Sequence, residues 1–362
     1  MTDLLGDPIE PERRRGRGAG SNPANRYERL CTSRTDDGWE RPSDAEVRTR
    51  VDIDSSRTIL ARNTSPDVPF DRSVNPYRGC EHGCVYCFAR PTHAHLGFSP
   101  GLDFETRLLA KPNAAALLAE ALRKPGYTAA PIAIGTNTDP YQPVEKDWRI
   151  MRQVLEVLWE HRHPVTITTK GSLLTRDIDL MRKMARENIV RVTVSLTTLD
   201  NRLSRAMEPR CAAPARRLAM VKELTRNGIP TGIGLAPIVP GLTDHEIEHL
   251  LRAGAEAGAD FATFIMLRLP LEVAPLFEDW LAREFPERAA KIMNRVREMH
   301  GGKSYDSQWF KRLRGEGVHA RLIARRFELA RKKFGLDCER TQLRTDLFRL
   351  PPRKGDQLTL GL

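Results

Sequence analysis

Apolar and polar positions change period repeatedly along this chain. From Val74 onward, short β-branched runs alternate with longer stretches whose apolar residues recur every three or four positions. Pro131–Thr136, Val165–Thr169, Ile189–Leu196, Ile229–Leu235 and Phe261–Leu267 are strand-like. Asn113–Arg123, Asp147–Trp159, Arg176–Glu187, Pro214–Arg226 and Thr243–Ala257 have helical period, and Asn227-Gly228 stops the fourth. Strands that start near 131, 165, 190, 230 and 260 give one βα unit every 25–40 residues. That rhythm predicts an α/β fold, a parallel sheet with crossover helices. A further strand just before Asn75 makes six units. Six suit a partial TIM-like (β/α)6 barrel, and the chemistry is then expected at the strand C-termini.

The flanks break the rhythm. Residues 1–50 are rich in Arg, Gly, Pro, Asn and Asp without sustained period, which predicts an irregular or disordered arm. Residues 51–270 hold the barrel core, with 51–72 as an extended lead-in. Residues 271–362 form a mainly helical C-terminal extension with helices over Trp280–Met299 and Val318–Phe334 and a tail from Pro351. In the second helix Ile323, Phe327, Ala330 and Phe334 share one face to bury.

The net charge of +11 is unevenly spread. Residues 281–334 hold 15 Lys and Arg against six Asp and Glu. Asp306–Arg314 interleaves Trp309 and Phe310 with Lys311, Arg312 and Arg314, a mixture that suits single-stranded nucleic acid. The plainer reading is helices packed on the barrel with solvated outer faces. Arg13-Arg14-Arg15-Gly-Arg17-Gly reads as a solvated tail or a phosphate contact. No run of about 18 apolar residues predicts a membrane helix, and the start of the chain has no apolar signal region. Six cysteines in 362 residues are too few for a disulfide scaffold, which points to a reducing cytoplasm.

Three of those cysteines stand together. Asn75-Pro-Tyr-Arg-Gly-Cys-Glu-His-Gly-Cys-Val-Tyr-Cys-Phe-Ala-Arg90 places Cys80, Cys84 and Cys87 at C-x3-C-x2-C spacing. Thiolates on so short a loop bind iron–sulfur clusters or zinc. Three of them leave one iron of a [4Fe-4S] cluster open, whereas His82, His93 or His95 would complete a zinc site. Gly79 and Gly83 allow the tight bend.

This stretch resembles the cluster loop of the radical S-adenosylmethionine (radical SAM) enzymes, C-x3-C-x-aromatic-C. The resemblance implies a [4Fe-4S] cluster and S-adenosyl-L-methionine (SAM) as cofactors, with an electron donor such as flavodoxin or ferredoxin. It implies that the open iron chelates SAM and that reductive cleavage yields a 5′-deoxyadenosyl radical. Gly135-Thr-Asn-Thr-Asp-Pro-Tyr-Gln-Pro143, Thr-Thr-Lys-Gly-Ser and Ala-Pro-Ile-Val-Pro-Gly-Leu-Thr-Asp look like the spore-photoproduct-lyase-like branch. Arg17–Arg26 and Ser73–Asn113 resemble a bacterial subfamily of that branch with no settled reaction.

By the same resemblance Tyr86 lies near the adenine. Lys170 and Ser195 hold the methionine carboxylate. Asp139 faces SAM or shapes the site, and Arg210 is a further carboxylate or substrate contact. Each has a plainer reading: Lys170 as a strand cap, Ser195 bonded to backbone, Asp139 in an Asx-turn before Pro140, Arg210 paired with Glu208 or Asp200. The lyase's hydrogen-donating cysteine near the end of the second strand has no counterpart in Ile-Gly-Thr-Asn-Thr-Asp, and no cysteine lies between Cys87 and Cys211. Cys211 is a substitute donor or a buried, inert thiol. Cys31 and Cys338 get no role. The leading expectation is a radical SAM enzyme, lyase-like or transferase, acting on an unidentified substrate, with a nucleic acid or nucleotide-like molecule as first candidate. A small-molecule or peptide substrate is the second reading, and a nucleic-acid-binding module with a structural metal is the third.

Overall fold

The computed structural model describes residues 16–28, 47–338 and 342–352. Cys31, Arg13–Arg15 and most of the tail after Pro351 lie outside them, whereas Arg17 of the same run is not solvated but buried, its guanidinium donating to Glu105 O at 3.0 Å.

Ten strands are described: β1 (Arg50–Ile53), β2 (Leu60–Arg62), β3 (Arg72–Val74), β4 (Tyr77–Arg78), β5 (Arg107–Ala110), β6 (Ile132–Ile134), β7 (Val165–Thr169), β8 (Val190–Ser195), β9 (Thr231–Ile238) and β10 (Phe261–Met266). The main sheet runs β10-β9-β8-β7-β6-β3-β2. Its six strands from β3 to β10 pair in parallel, and only β2 is antiparallel, at the edge beside β3. The fold is thus α/β with a parallel sheet of partial-barrel type and a helical C-terminal region.

Val165, Ile167, Val190, Val192 and Val194 are fully buried, as β-branched residues between two covered faces should be. The crossover helices lay Leu118, Val154, Leu158, Met181, Leu224 and Leu251 against them. Pro214 opens its helix at the first turn, where its missing N–H costs nothing.

Three expectations are corrected. The lead-in is not merely extended: β1 joins β5 and β4 in a small second sheet, and β2 joins the barrel. The predicted helix Asp147–Trp159 is two, Glu145–Trp148 and Ile150–Glu160, divided at Arg149 with φ 49°. The buried Glu145 carboxylate accepts the Ile150 and Met151 N–H groups and so caps the second piece. Trp280–Met299 is likewise two helices, Val273–Glu284 and Pro286–Met299, because Pro286 cannot continue the first. Between the cysteine loop and the helix Ala114–Leu122 lie a 3-10 turn, Arg90–Leu96, the short helix Asp103–Thr106 and β5.

β10 is the last barrel strand, and its open edge is covered. Met266 N–H donates to Leu313 O, and Ala262 N–H to Leu336 O. Across the remaining gap, Arg312 from this covering segment forms a two-pronged pair with Asp67 at 2.6 and 2.8 Å. Asp67 belongs to the loop between β2 and β3, so this contact joins the two ends of the sheet.

Candidate active site

The cysteine loop leaves β4 at Gly79, whose φ of 76° only glycine adopts readily. A Cβ there would also lie 2.6 Å from Leu108 and 2.9 Å from the His93 ring. Cys80 N–H donates to Phe104 O and Val85 N–H to Met207 O, which pins the loop at both sides. Cys80 and Cys84 are buried and Cys87 is half-buried.

Beneath the loop, fully buried Arg90 donates to the carbonyls of Gly83, Cys84, Pro100 and Gly101 and pairs with Glu105 at 2.5 Å. Glu105 in turn accepts the N–H groups of Gly18 and Ala19. The irregular N-terminal arm therefore lies directly on the cysteine loop. A Cβ on Gly18 would stand 1.9 Å from Gly83 O, so this approach requires glycine.

The rim above the strands gathers most of the predicted contacts. Asp139 accepts from the Tyr141 N–H, as an Asx-turn does, and also from Thr169 Oγ1 at 2.6 Å and Lys170 N–H at 2.7 Å. Its other neighbour is His82 Nδ1 at 3.4 Å, an ion pair without hydrogen-bond alignment. Burial alone would raise the Asp139 pKa, but His82 and these donors hold it at about 2. His82 is buried too, and Asp139 keeps it protonated up to about pH 10.

Lys170 is half-buried beside the Tyr86 ring, its Nζ 5.9 Å from the centroid. Burial opposes its charge, but Cys84, Glu208 and Cys211 raise its pKa. Among the described residues its ammonium has no hydrogen-bonding partner. Ser195 ends β8 and donates its hydroxyl to Ala236 O at 3.2 Å, leaving its oxygen free to accept. Tyr86 donates to Glu208 Oε1.

Arg210 departs from both of its expected pairings. It meets neither Glu208 nor Asp200 but Glu81, at 2.8 Å, because its backbone lies on the loop through the Arg210 N–H to His82 O contact. Asp200 instead caps the helix Asn201–Met207. Glu208 is the site residue the sequence did not single out. It is buried, accepts from Tyr86, Thr197 and Arg217, and is held at about pKa 2 against burial by Arg217 and Lys170. Arg217, equally buried, also donates to Ala212 O and Ser195 O, and so ties Ser195 to the Tyr86 network. Its only sequence signal was membership of an ordinary basic helix face.

Cys211 lies 3.8 Å from Cys84, sulfur to sulfur. Burial and the Cys84 sulfur raise its pKa, and the contact lowers that of Cys84, with either sulfur able to donate. His93 turns its Nε2 to Arg107 O at 2.9 Å, and exposed His95 faces Arg26 and Tyr27, so neither faces the thiols. Among the described residues no three His, Cys, Asp or Glu side chains converge tightly enough to wrap a single ion. Three soft thiols spread round one bent loop, with the Lys170 cation beside them, fit a cluster gripped at its corners.

Similarity to known proteins extends over much of the chain. The model of the radical SAM superfamily matches residues 74–253. An uncharacterized protein of Mycobacterium tuberculosis is 39% identical over 260 residues, covering 71% of this chain and 75% of the relative. A radical SAM Nα-GlyT isomerase of Pseudomonas phage M6 is 27% identical over 233 residues, covering 63% of this chain and 46% of that protein. Among solved structures, a Y98F mutant of spore photoproduct lyase superposes with a TM-score of 0.56 over 79% of each chain at 15% identity. The lyase complexed with dinucleoside spore photoproduct gives 0.56 over 78% at 14%. These two likenesses are of fold.

Proposed function

The chain belongs to the radical SAM superfamily, and we propose that it is an enzyme of that class whose substrate is a nucleic acid. Membership implies a [4Fe-4S] cluster and SAM, which together supply reductive C–S cleavage and a radical able to attack a C–H bond. In this reading Cys80, Cys84 and Cys87 ligate the cluster. Lys170 meets the carboxylate of SAM by charge and Ser195 by hydrogen bond. Asp139 fixes the Lys170 backbone and the His82 ring. Tyr86, held by Glu208 and Arg217, offers its face to the adenine. Arg210 acts one step back, by holding Glu81 on the loop.

The observation that carries the cofactor assignment is Lys170. A half-buried ammonium with no hydrogen-bonding partner, next to the cysteine loop, is a site prepared for an anion. The substrate class rests on the rim beyond β10. Trp309 and Phe310 are 55% and 64% exposed, beside Lys311 and within the strongly basic stretch. Exposed aromatics interleaved with cations suit unpaired bases. A reducing cytoplasm, with flavodoxin or ferredoxin as electron source, completes the reading. Among the described residues no helix is long and apolar enough to cross a membrane.

The test is anaerobic reconstitution, then analysis of 5′-deoxyadenosine and methionine with candidate substrates added in turn. The chain should hold about four iron and four sulfide. SAM cleavage should be slow alone and faster with single-stranded oligonucleotide. A tightly held zinc without sulfide would end the enzymatic reading. Stimulation by peptides or small molecules but not by nucleic acid would reassign the substrate.

A further inference from the structure

Cys87, the half-buried member of the trio, is flanked in sequence by two aromatic residues, and each ring carries a cation. Lys170 lies over Tyr86, and the Arg268 guanidinium stands 3.7 Å from the centre of the Phe88 ring. Lys170 follows β7 and Arg268 follows β10, so they reach the loop from different parts of the rim. Lys170 already has a partner in the cofactor. Arg268 has none.

Other guanidiniums around the site each meet a carboxylate: Arg90 with Glu105, Arg210 with Glu81, Arg217 with Glu208 and Arg312 with Asp67. Arg268 meets aromatic side chains. Besides Phe88 it has the Tyr305 hydroxyl nearby, and Tyr305 is held against His300, whose Nε2 bonds to Leu267 O at 2.9 Å. Among the described residues no carboxylate pairs with Arg268. Burial disfavours its charge, which the Tyr305 hydroxyl and Cys87 offset only in part. Such a group persists where a ligand brings the counter-charge. Phe88 is 37% exposed, so the stacked pair is reachable from solvent.

We propose that Arg268, stacked on Phe88, binds a phosphate of the substrate, a single-stranded nucleic acid whose adjoining bases stack on Trp309 and Phe310. A guanidinium fork matches phosphate oxygens two at a time, and the ring behind it fixes the fork's plane. Phosphate is favoured over an isolated carboxylate because Trp309 and Phe310 expose stacking faces in the same segment that supplies Tyr305. The inference deepens the nucleic-acid reading and rests on it for the identity of the ligand, but not for the anion subsite itself.

The experiment uses full-length reconstituted protein and two probes: a fluorescein-labelled octameric oligodeoxynucleotide, followed by anisotropy, and thymidine 5′-monophosphate, followed by equilibrium dialysis. Arg268→Gln should weaken oligonucleotide binding about ten- to hundred-fold, the loss expected for a charge-assisted hydrogen bond. SAM affinity and iron content should not change. Arg268→Lys, which keeps the charge and loses the planar fork, should fall between, and it replaces Arg268→Gln if that protein fails to fold. If wild type binds the monophosphate in an Arg268-dependent way but no oligonucleotide, the nucleic-acid reading fails and the subsite stands. If neither probe is bound, or if binding ignores Arg268, the subsite is overturned. Loss of SAM binding in Arg268→Gln would also overturn it, by placing the residue on the cofactor.

Discussion

Glu208 and Arg210 share the tetrapeptide Met-Glu-Pro-Arg, and the structure distributes their work in a way no spacing could reveal. The arginine, read as a further carboxylate or substrate contact, is engaged with Glu81, while the glutamate anchors Tyr86. A carboxylate that accepts from three side chains is recognisable only once β8, its following loop and the helix Pro214–Arg226 are brought together. The three cysteines could be grouped from the sequence because they sit on one short loop. Lys170 makes the sharper residue-scale prediction. Lys170→Ala should lower SAM affinity about ten- to hundred-fold with the cluster's absorbance intact. Ser195→Ala should cost less, since its hydroxyl already donates to Ala236. Equilibrium binding that is unchanged in both variants would show that the carboxylate is held elsewhere. His163 gives a prediction about stability. It is fully buried, donates from Nδ1 to Pro164 O and accepts at Nε2 from the Tyr127 hydroxyl, a network that needs the neutral ring. Burial lowers its pKa from 6.5 to about 4. Between those values the unfolded chain binds a proton that the folded chain refuses. Stability should therefore fall as pH drops from 6.5 to 4, by at most about 3 kcal/mol. His163→Phe should flatten that limb when urea midpoints are compared at pH 7.5, 6 and 5.

At the scale of elements, the β-branched runs were readable because a strand buried on both faces leaves few alternatives. Val165–Thr169 and Pro214–Arg226 begin and end where the pattern put them. The pieces that were misread are those shaped by contacts distant in sequence. Arg149 turns left-handed because Glu145, itself bound to Tyr77 and Arg176, caps the next helix. Pro286 was visible in the sequence and should have divided its helix. The N-terminal arm was the least legible, since its Gly-Ala-Gly run has no period. In the structure its backbone binds Glu105 and thereby supports Arg90 under the cysteine loop. Gly18→Ala should therefore push the loop, because nothing in Gly83 O can yield by the required distance. The expected outcome is folded protein that reconstitutes with less iron and loses its cluster faster to a chelator. Arg90→Ala is the harsher test. It leaves Glu105 buried without its cation, a loss of about 3–5 kcal/mol that a thermal melt would register. Normal cluster retention in Gly18→Ala would show that the arm is only a passenger.

For the whole molecule, the decisive feature is how an incomplete barrel closes. Six parallel strands leave a gap between β10 and β2, and the C-terminal segment crosses it to place Arg312 on buried Asp67. The count of six units was legible from the βα rhythm, but the clasp joins residues 245 positions apart and left no local trace. It also changes what the basic stretch can do. Arg312 is committed to Asp67, Arg326 to Glu248 and Arg331 to Glu328, and Arg314 stands 5.3 Å from the Phe264 ring centre. The formal charge of residues 281–334 therefore overstates the cations free to meet phosphate. Arg312→Ala should act on stability: Asp67 loses a two-pronged partner and Phe310 N–H loses the oriented acceptor it donates to, about 1–3 kcal/mol in urea denaturation. Its effect on nucleic-acid affinity should follow from disorder of Trp309 and Phe310, not from lost charge. The salt dependence of binding separates these causes, because only a neutralised phosphate releases counterions. With Lys311 paired to Glu316 at 3.1 Å and Arg268 and Lys303 as the remaining cations, a single-stranded octamer engaging about two phosphates should give a slope near −1.4 in log affinity against log salt. Arg312→Ala should weaken binding at every salt concentration while keeping that slope. Lys303→Ala should make it shallower by about 0.7. A slope that flattens in Arg312→Ala by as much as in Lys303→Ala would mean that Arg312 leaves Asp67 to meet the strand, and the clasp would then be a resting contact of the free protein.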